Sequence, residues 1–292
     1  MLSILIPIYN YNVSQLVLDL IDQAKGLEVP TEIICYDDHS DTNHALANKW
    51  LEETDEVRYH ILPANVGRSA IRNQLATAAA YPYLLYLDCD SGIVSENFLS
   101  QYLTHLNENK IICGGRNYST SPPTESNMRL HWLYGTNKES RPIQTRQAHP
   151  VRYFHTNNFI IPKRAFEQIS FDETIQSYGY EDLLFAEVAT GVGLSVVHID
   201  NPVRHMELQN AETFLSKTTV AVRNLIQLNK QGYMLNSKLE NTMRWIKRLG
   251  IGGVYKWFYR QNAKSIESNL KSENPSLTKL DLFKLYAYLE NQ

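Results

Sequence analysis

Four short apolar runs, each followed by a polar turn and then a helical pattern, leave few folds open to the first third of this chain. Leu2–Ile8, Glu32–Tyr36, Val57–Leu62 and Tyr83–Leu87 read as strands, and residues 14–24, 45–51 and 75–80 carry apolar side chains at helical spacing. Strands that alternate with helices imply a parallel sheet with right-handed crossovers. Tyr83–Leu87 is apolar or aromatic throughout, as a strand covered on both faces must be. Asp88 and Asp90 follow at its carboxyl end, the edge where open α/β sheets bind ligands. Residues two apart on a strand point the same way, so both carboxylates can face one site. Their repulsion calls for a cation or a shared proton, and a divalent metal carrying phosphate suits such hard oxygen donors. A solvated turn is the plainer use of Asp, Ser and Gly together.

Further strands are expected at Ile111–Cys113, Phe154–Pro162 and Leu194–Ile199, with helices over 96–106, 163–169 and 183–189. The last of these puts Glu181 and Asp182 in a first turn, where the macrodipole alone favours carboxylates. Residues 116–150 show no periodicity, include Pro122-Pro123, and read as a substrate-facing insertion. Beyond Gln209 the pattern is helical only, over 214–230, 239–264 with breaks at Gly250 and Gly252-Gly253, and 277–289. The expected organisation is an α/β domain at 1–208 and a helical C-terminal extension at 209–292.

A formal net charge of -3 over 292 residues gives no general pull toward nucleic acid or anionic lipid. Cys35, Cys89 and Cys113 lack metal-ligand spacing and suit buried thiols in a reducing, cytoplasmic setting. Met1–Ile8 has neither a basic leader nor a small-residue cleavage site and reads as a strand rather than a signal peptide. No run reaches the ~18–20 apolar residues of a spanning helix.

Five motifs in order resemble the family-2 glycosyltransferases of the GT-A fold. Ser3-Ile4-Leu5-Ile6-Pro7-Ile8-Tyr9-Asn10 is similar to that family's opening strand, and Tyr36-Asp37-Asp38-His39-Ser40 to its Asp-Asp-x-Ser turn. Asn65-Val66-Gly67 with Arg72-Asn73 resembles the segment lining the nucleotide pocket, Asp88-Cys89-Asp90 the Asp-x-Asp, and Gly179-Tyr180-Glu181-Asp182 the motif carrying the base. The resemblance implies a mixed, mostly parallel sheet flanked by helices, and an inverting transfer from a nucleotide sugar, with UDP-sugar as the expected donor. It implies nucleotide contacts from Pro7, Tyr9, Asp38, Asn65, Gly67, Arg72 and Asp88, and Mn2+ or Mg2+ at Asp90 and Asp88 with His205 as a further candidate. Asp182 is the expected general base, with Glu181, Asn157 and Asn158 on the acceptor or sugar. His205 can equally be an ordinary histidine, Arg72 can bridge to a strand-end carboxylate, and the two asparagines can be strand-edge amides. His39 stands where Gly or Asn is common in the family, which leaves the base of the nucleotide open.

Residues 244–264 hold six Lys or Arg and no acid, interleaved with Trp245, Trp257 and Phe258. A cationic helix with such an apolar side lies in a bilayer interface or packs on a domain with its basic face solvated. The first use suits a glycan or lipid-linked acceptor handled at the inner face of a membrane, in polysaccharide or glycolipid synthesis. No nucleic-acid motif accompanies the charges. Two other functions share the Asp-x-Asp: a haloacid-dehalogenase-like phosphatase with Asp88 as nucleophile, and a non-catalytic nucleotide-sugar binder.

Overall fold

The computed structural model of the chain describes residues 1–175, 179–233, 235 and 237–292. Its strands are β1 (Leu2–Ile8), β2 (Thr31–Asp37), β3 (Val57–Ile61), β4 (Tyr83–Leu87), β5 (Ser91–Gly92), β6 (Lys110–Cys113), β7 (Arg116–Asn117), β8 (Asn158–Pro162), β9 (Ser195–His198) and β10 (Val203–His205). The helices that precede the carboxyl third are α1 (Ser14–Lys25), α2 (Thr42–Asn48), α3 (Arg68–Ala78), α4 (Phe98–Leu103), α5 (Arg129–Tyr134), α6 (Ile143–Ala148), α7 (Lys163–Ile169) and α8 (Glu181–Gly191). After them come α9 (Ala211–Lys230), α10 (Lys238–Arg248), α11 (Gly252–Leu270) and α12 (Leu277–Glu290).

Seven strands form one sheet in the order β3-β2-β1-β4-β8-β6-β9, and only β8 runs against its neighbours. This is the mixed, mostly parallel sheet that the motifs imply. Alternation sorts its residues between two cores. Leu5, Leu84 and Tyr86 join Phe159, Phe166 and Phe185 on one face, while Ile4, Ile6, Leu85 and Leu87 join Leu16, Leu20 and Phe98 on the other. Every side chain of β1 and β4 therefore finds apolar cover or a strand neighbour, which is why both runs are so uniformly apolar. The order also reverses at β1, with β2 to one side and β4 to the other, so the carboxyl ends of these strands flank a topological switch point.

The chain divides into two compact units rather than at a single point near residue 208. One holds 1–117, 141–175 and 185–206; the other holds 118–140, 179–184 and the tail from Glu207. The segment 116–150, expected as an irregular insertion, is in fact built of short pieces. β7 and α6 belong to the sheet unit, and α5 belongs to the helical unit. None of these pieces exceeds six residues, too few turns to leave a periodic trace in sequence. In the helical unit, Leu130 of α5 shares a core with Leu215, Tyr259, Leu270 and Leu280, and Tyr259 stacks on Tyr286 with centroids 4.0 Å apart. No helix of the described residues is long and apolar enough to cross a membrane.

Two positions in the sheet unit give measurable consequences. A Cβ on Gly114 would lie 2.2 Å from the Asn201 carbonyl oxygen and 2.5 Å from the Tyr102 hydroxyl. Gly114→Ala is expected to lower the unfolding free energy by about 2 kcal/mol, read from the urea midpoint. His198 is buried, and Arg146 Nη1 donates to its Nδ1 over 3.1 Å. Because Arg cannot accept, the imidazole proton sits on Nε2 and is donated to the Pro150 carbonyl at 2.9 Å. Burial, opposed by the Pro150 bond and aided by the Arg146 charge, pushes His198 from 6.5 down to about 4. As pH falls from about 6.5 to 4 the unfolded chain takes up a proton that the fold refuses, so stability drops over that window. His198→Gln should flatten that part of the stability-pH curve.

Candidate active site

Four carboxylates gather at the tips of β2 and β4. Asp37 is fully buried; its Oδ1 accepts from the Ser40 amide at 2.7 Å and its Oδ2 from the Tyr59 hydroxyl at 3.1 Å. Ser40 Oγ in turn accepts the Asn10 amide, which ties the end of β2 to the end of β1. The tie needs a sharp turn, and Asn10 and His39 take left-handed φ values of 49° and 61° to make it. Pro7 lies in β1 and Tyr9 just past its end, with the Tyr9 ring exposed.

Asp38 is buried, and its two oxygens accept the backbone amides of Val66 at 2.6 Å and Gly67 at 3.0 Å. Asn65 Nδ2 donates to the Asp38 carbonyl at 3.0 Å. Asp38, Asn65 and Gly67 are thus one hydrogen-bonded unit at the start of α3. Gly67 has φ 86° with open space around its Cα, so the backbone conformation rather than crowding calls for glycine there.

Asp88 and Asp90 take different partners. β4 stops at Leu87 and residues 88–91 turn back, with the Ser91 amide on the Asp88 carbonyl at 3.1 Å. Strand alternation therefore does not reach Asp90. Asp88 Oδ1 accepts from Arg72 Nη2 at 2.8 Å; Arg72 is buried, and its guanidinium also lies 5.5 Å from the Phe171 ring centroid. Of the two uses open to Arg72, bridging to a strand-end carboxylate is the one observed.

Asp90 is brought to His205 by sheet register. β5 and β10 pair antiparallel with His205 opposite Ser91, and the Met206 amide donates to the Asp90 carbonyl at 2.9 Å. His205 Nδ1 then stands 3.3 Å from Asp90 Oδ2. Burial raises the Asp90 pKa, but the His205 contact and the charges of Arg116 and Arg68 outweigh it and hold the carboxyl below its ordinary value. Arg116 carries no motif and was invisible in the sequence. It reaches this site because β7 pairs with β10, Val203 opposite Arg116.

One carboxylate oxygen and one imidazole nitrogen, both partly open to solvent, fit a borderline cation such as Mn2+. Among the described residues no three His, Cys, Asp or Glu are grouped to hold an ion, so further positions would fall to ligand and water.

The two asparagines part company. Asn157 is buried, its carbonyl accepts the Asp88 amide at 3.1 Å, and its Oδ1 has no partner among the described residues. Asn158, expected to meet a sugar, is instead engaged within the fold. Its Oδ1 accepts from the Tyr102 hydroxyl at 2.6 Å, and its Nδ2 donates to the carbonyls of Gly115 and Asn201, each at 2.9 Å.

Glu181 and Asp182 open α8, as expected, and belong to the helical unit. Gly179 and Tyr180 before them have φ values of 97° and 70°. A Cβ on Gly179 would lie 2.5 Å from that of Ala221 in α9, and Asn224 of α9 donates to the Gly179 carbonyl. The motif is therefore fastened to α9 by a contact that only glycine permits.

Residues 3–170, more than half of the chain, match the family model described as Glycosyl transferase family 2. No curated protein matches. Among solved structures the chain is similar to the mannosyltransferase PcManGT from Pyrobaculum calidifontis in complex with GDP-Man and Mn2+, at 11% identity and a TM-score of 0.54, covering 78% of this chain and 64% of that one. It is also similar to S. aureus TarS, at 17% identity and a TM-score of 0.50, covering 97% of this chain and 54% of that one. The chain thus spans less than two thirds of either structure, and identities this low speak for the fold alone.

An amide in place of Asp38 keeps only one acceptor for two backbone donors. Asp38→Asn is expected to cost about 1–3 kcal/mol in a thermal melt and to loosen the 65–67 turn, seen as faster amide exchange at Val66 and Gly67.

Proposed function

Because the chain belongs to glycosyl transferase family 2, we propose that it is an inverting glycosyltransferase that moves a sugar from a nucleoside diphosphate, uridine diphosphate first among candidates, to a hydroxyl of a glycan or lipid-linked acceptor. The Asp90–His205 pair at the carboxyl edge of the sheet is the observation that carries this reading. These two residues would hold Mn2+ or Mg2+, and the ion would supply charge neutralisation for the departing diphosphate. Asp38 and the turn it fastens at Asn65–Gly67 line the nucleotide, with Pro7 of β1 and Tyr9 just past its end. Asn157 offers an unfilled acceptor to a donor hydroxyl.

Asp182 is the proposed general base, taking the acceptor's proton as its oxygen attacks, and Glu181 orients the acceptor hydroxyl. Attack from the face opposite the leaving diphosphate, with a single base, inverts the anomeric centre. The phosphatase reading would need Asp88 as a nucleophile, whereas its carboxylate is paired with the buried Arg72.

The reaction is tested by incubating the chain with a panel of UDP- and GDP-sugars plus Mn2+ or Mg2+ and reading released nucleoside diphosphate. Chelator and Asp90→Ala should each abolish turnover; full activity in chelator removes the metal role. Asp182→Asn should lower transfer by about 10²–10⁴-fold while donor binding persists. Wild-type rates in that variant would remove Asp182 as base, and donor binding without turnover in the unaltered chain would make it a nucleotide-sugar binder.

A further inference from the structure

Exposed apolar side chains are ordinary when scattered and informative when they cluster. Six of the seventeen exposed large apolar residues among those described fall within 245–258: Trp245, Leu249, Ile251, Val254, Trp257 and Phe258. Trp245 and Leu249 are four apart on α10 and its end, and Val254, Trp257 and Phe258 stand three and four apart on α11, so each set forms a stripe. These helices already have an inner face. Met243 and Ile246 of α10 are buried, as are Tyr259 and Ile266 of α11, where Tyr259 stacks on Tyr286 of α12. Each helix therefore carries an outward apolar stripe besides its buried side chains, with exposures of 62% at Trp245 on α10 and of 68% at Val254 and 63% at Trp257 on α11.

The charges beside it are of one sign. Arg244, Lys247, Arg248, Lys256, Arg260 and Lys264 lie in the same stretch, with no acid from 244 to 264. Glu290 of α12 pairs with Lys256 at 3.0 Å and with Arg260 at 3.2 Å. Among the described residues Arg244, Lys247, Arg248 and Lys264 have no carboxylate partner. Arg248 lies 5.7 Å over the Trp245 ring and Lys247 5.7 Å over that of Tyr288.

We infer that the outer face of α10 and α11 docks on an anionic lipid bilayer, with Trp245, Leu249, Val254, Trp257 and Phe258 entering the interface and the unpaired cations meeting headgroup phosphates. Aromatic and aliphatic side chains on one face of a cationic helix are what an in-plane interfacial helix requires. A second copy of the chain is a poorer occupant, because a self-complementary interface would set these cations against their own image. The docking does not depend on the proposed sugar transfer, since it uses none of the residues assigned to it.

The test is sedimentation of the full chain with phosphatidylcholine vesicles containing about a third phosphatidylglycerol, beside vesicles of phosphatidylcholine alone. Binding should be confined largely to the anionic vesicles, weaken in high salt, and shift tryptophan emission to the blue. Trp257→Gln with Phe258→Gln, and separately Lys247→Gln with Arg248→Gln, should each lower partitioning by about tenfold or more. Both pairs are exposed, so the melting temperature and donor turnover on a soluble acceptor should stay as in the unaltered chain; this separates failure of the docking from failure of the chemistry. No binding to anionic vesicles, or binding indifferent to both pairs, overturns the inference. So does a solution dimer that Trp257→Gln with Phe258→Gln dissolves in a chain without vesicle affinity.

Discussion

The sheet unit is organised by the need to answer negative charge where water is scarce. Four carboxylates lie at the tips of two neighbouring strands, and a buried carboxylate without donors would be untenable. Each is answered from a different part of the chain: Asp37 by Ser40 and Tyr59, Asp38 by the amides of Val66 and Gly67, Asp88 by Arg72, and Asp90 by His205. These compensations fix the loops. The turn after β2, the entry to α3, the close of β4 and the arrival of β10 are all set by the carboxylate each one serves. Remote stretches of sequence are thereby held at one edge of the sheet, which is the edge where a ligand can bind.

Much of this was legible because it is local. Uniformly apolar runs bounded by Pro, Asp and Gly placed β1, β2, β4 and the helices between them. The helix after β2 is closed just as locally, since the Asp41 side chain accepts from the amides of Asn43 and His44 at the start of α2. What could not be read is register. Nothing in Arg116 or His205 announces that β7, β10 and β5 form a small sheet of their own. Strands of two and three residues carry no periodicity, and their partners lie about a hundred residues away. The partners of Asn158 are hidden for the same reason: Tyr102, Gly115 and Asn201 are all distant in sequence.

The helical unit shows the complementary limit. Its long helices were evident from spacing, but sequence order hid the shorter segments that join them. Leu130 packs with α9, α11 and α12, and Gly179 is seated against Ala221, although neither belongs to the tail in sequence. A glycine in a motif can look like a flexible joint. Here positive φ and a neighbouring methyl leave it no substitute, so the place of the glycine is set by backbone conformation and by its close approach to α9.

The division between Asp88 and Asp90 follows from the same charge constraint. Arg72, buried in α3, pairs with Asp88 through Nη2, while its Nε and Nη1 have no hydrogen-bond partner among the described residues. Asp90 is surrounded differently, with His205 in contact and the charges of Arg116 and Arg68 both felt at its carboxyl. The His205 contact and these two charges together hold the Asp90 carboxyl below its ordinary pKa. Two acids that look equivalent in sequence thus acquire unequal surroundings, and the inequality arises from β7 and β10, the elements sequence could least reveal.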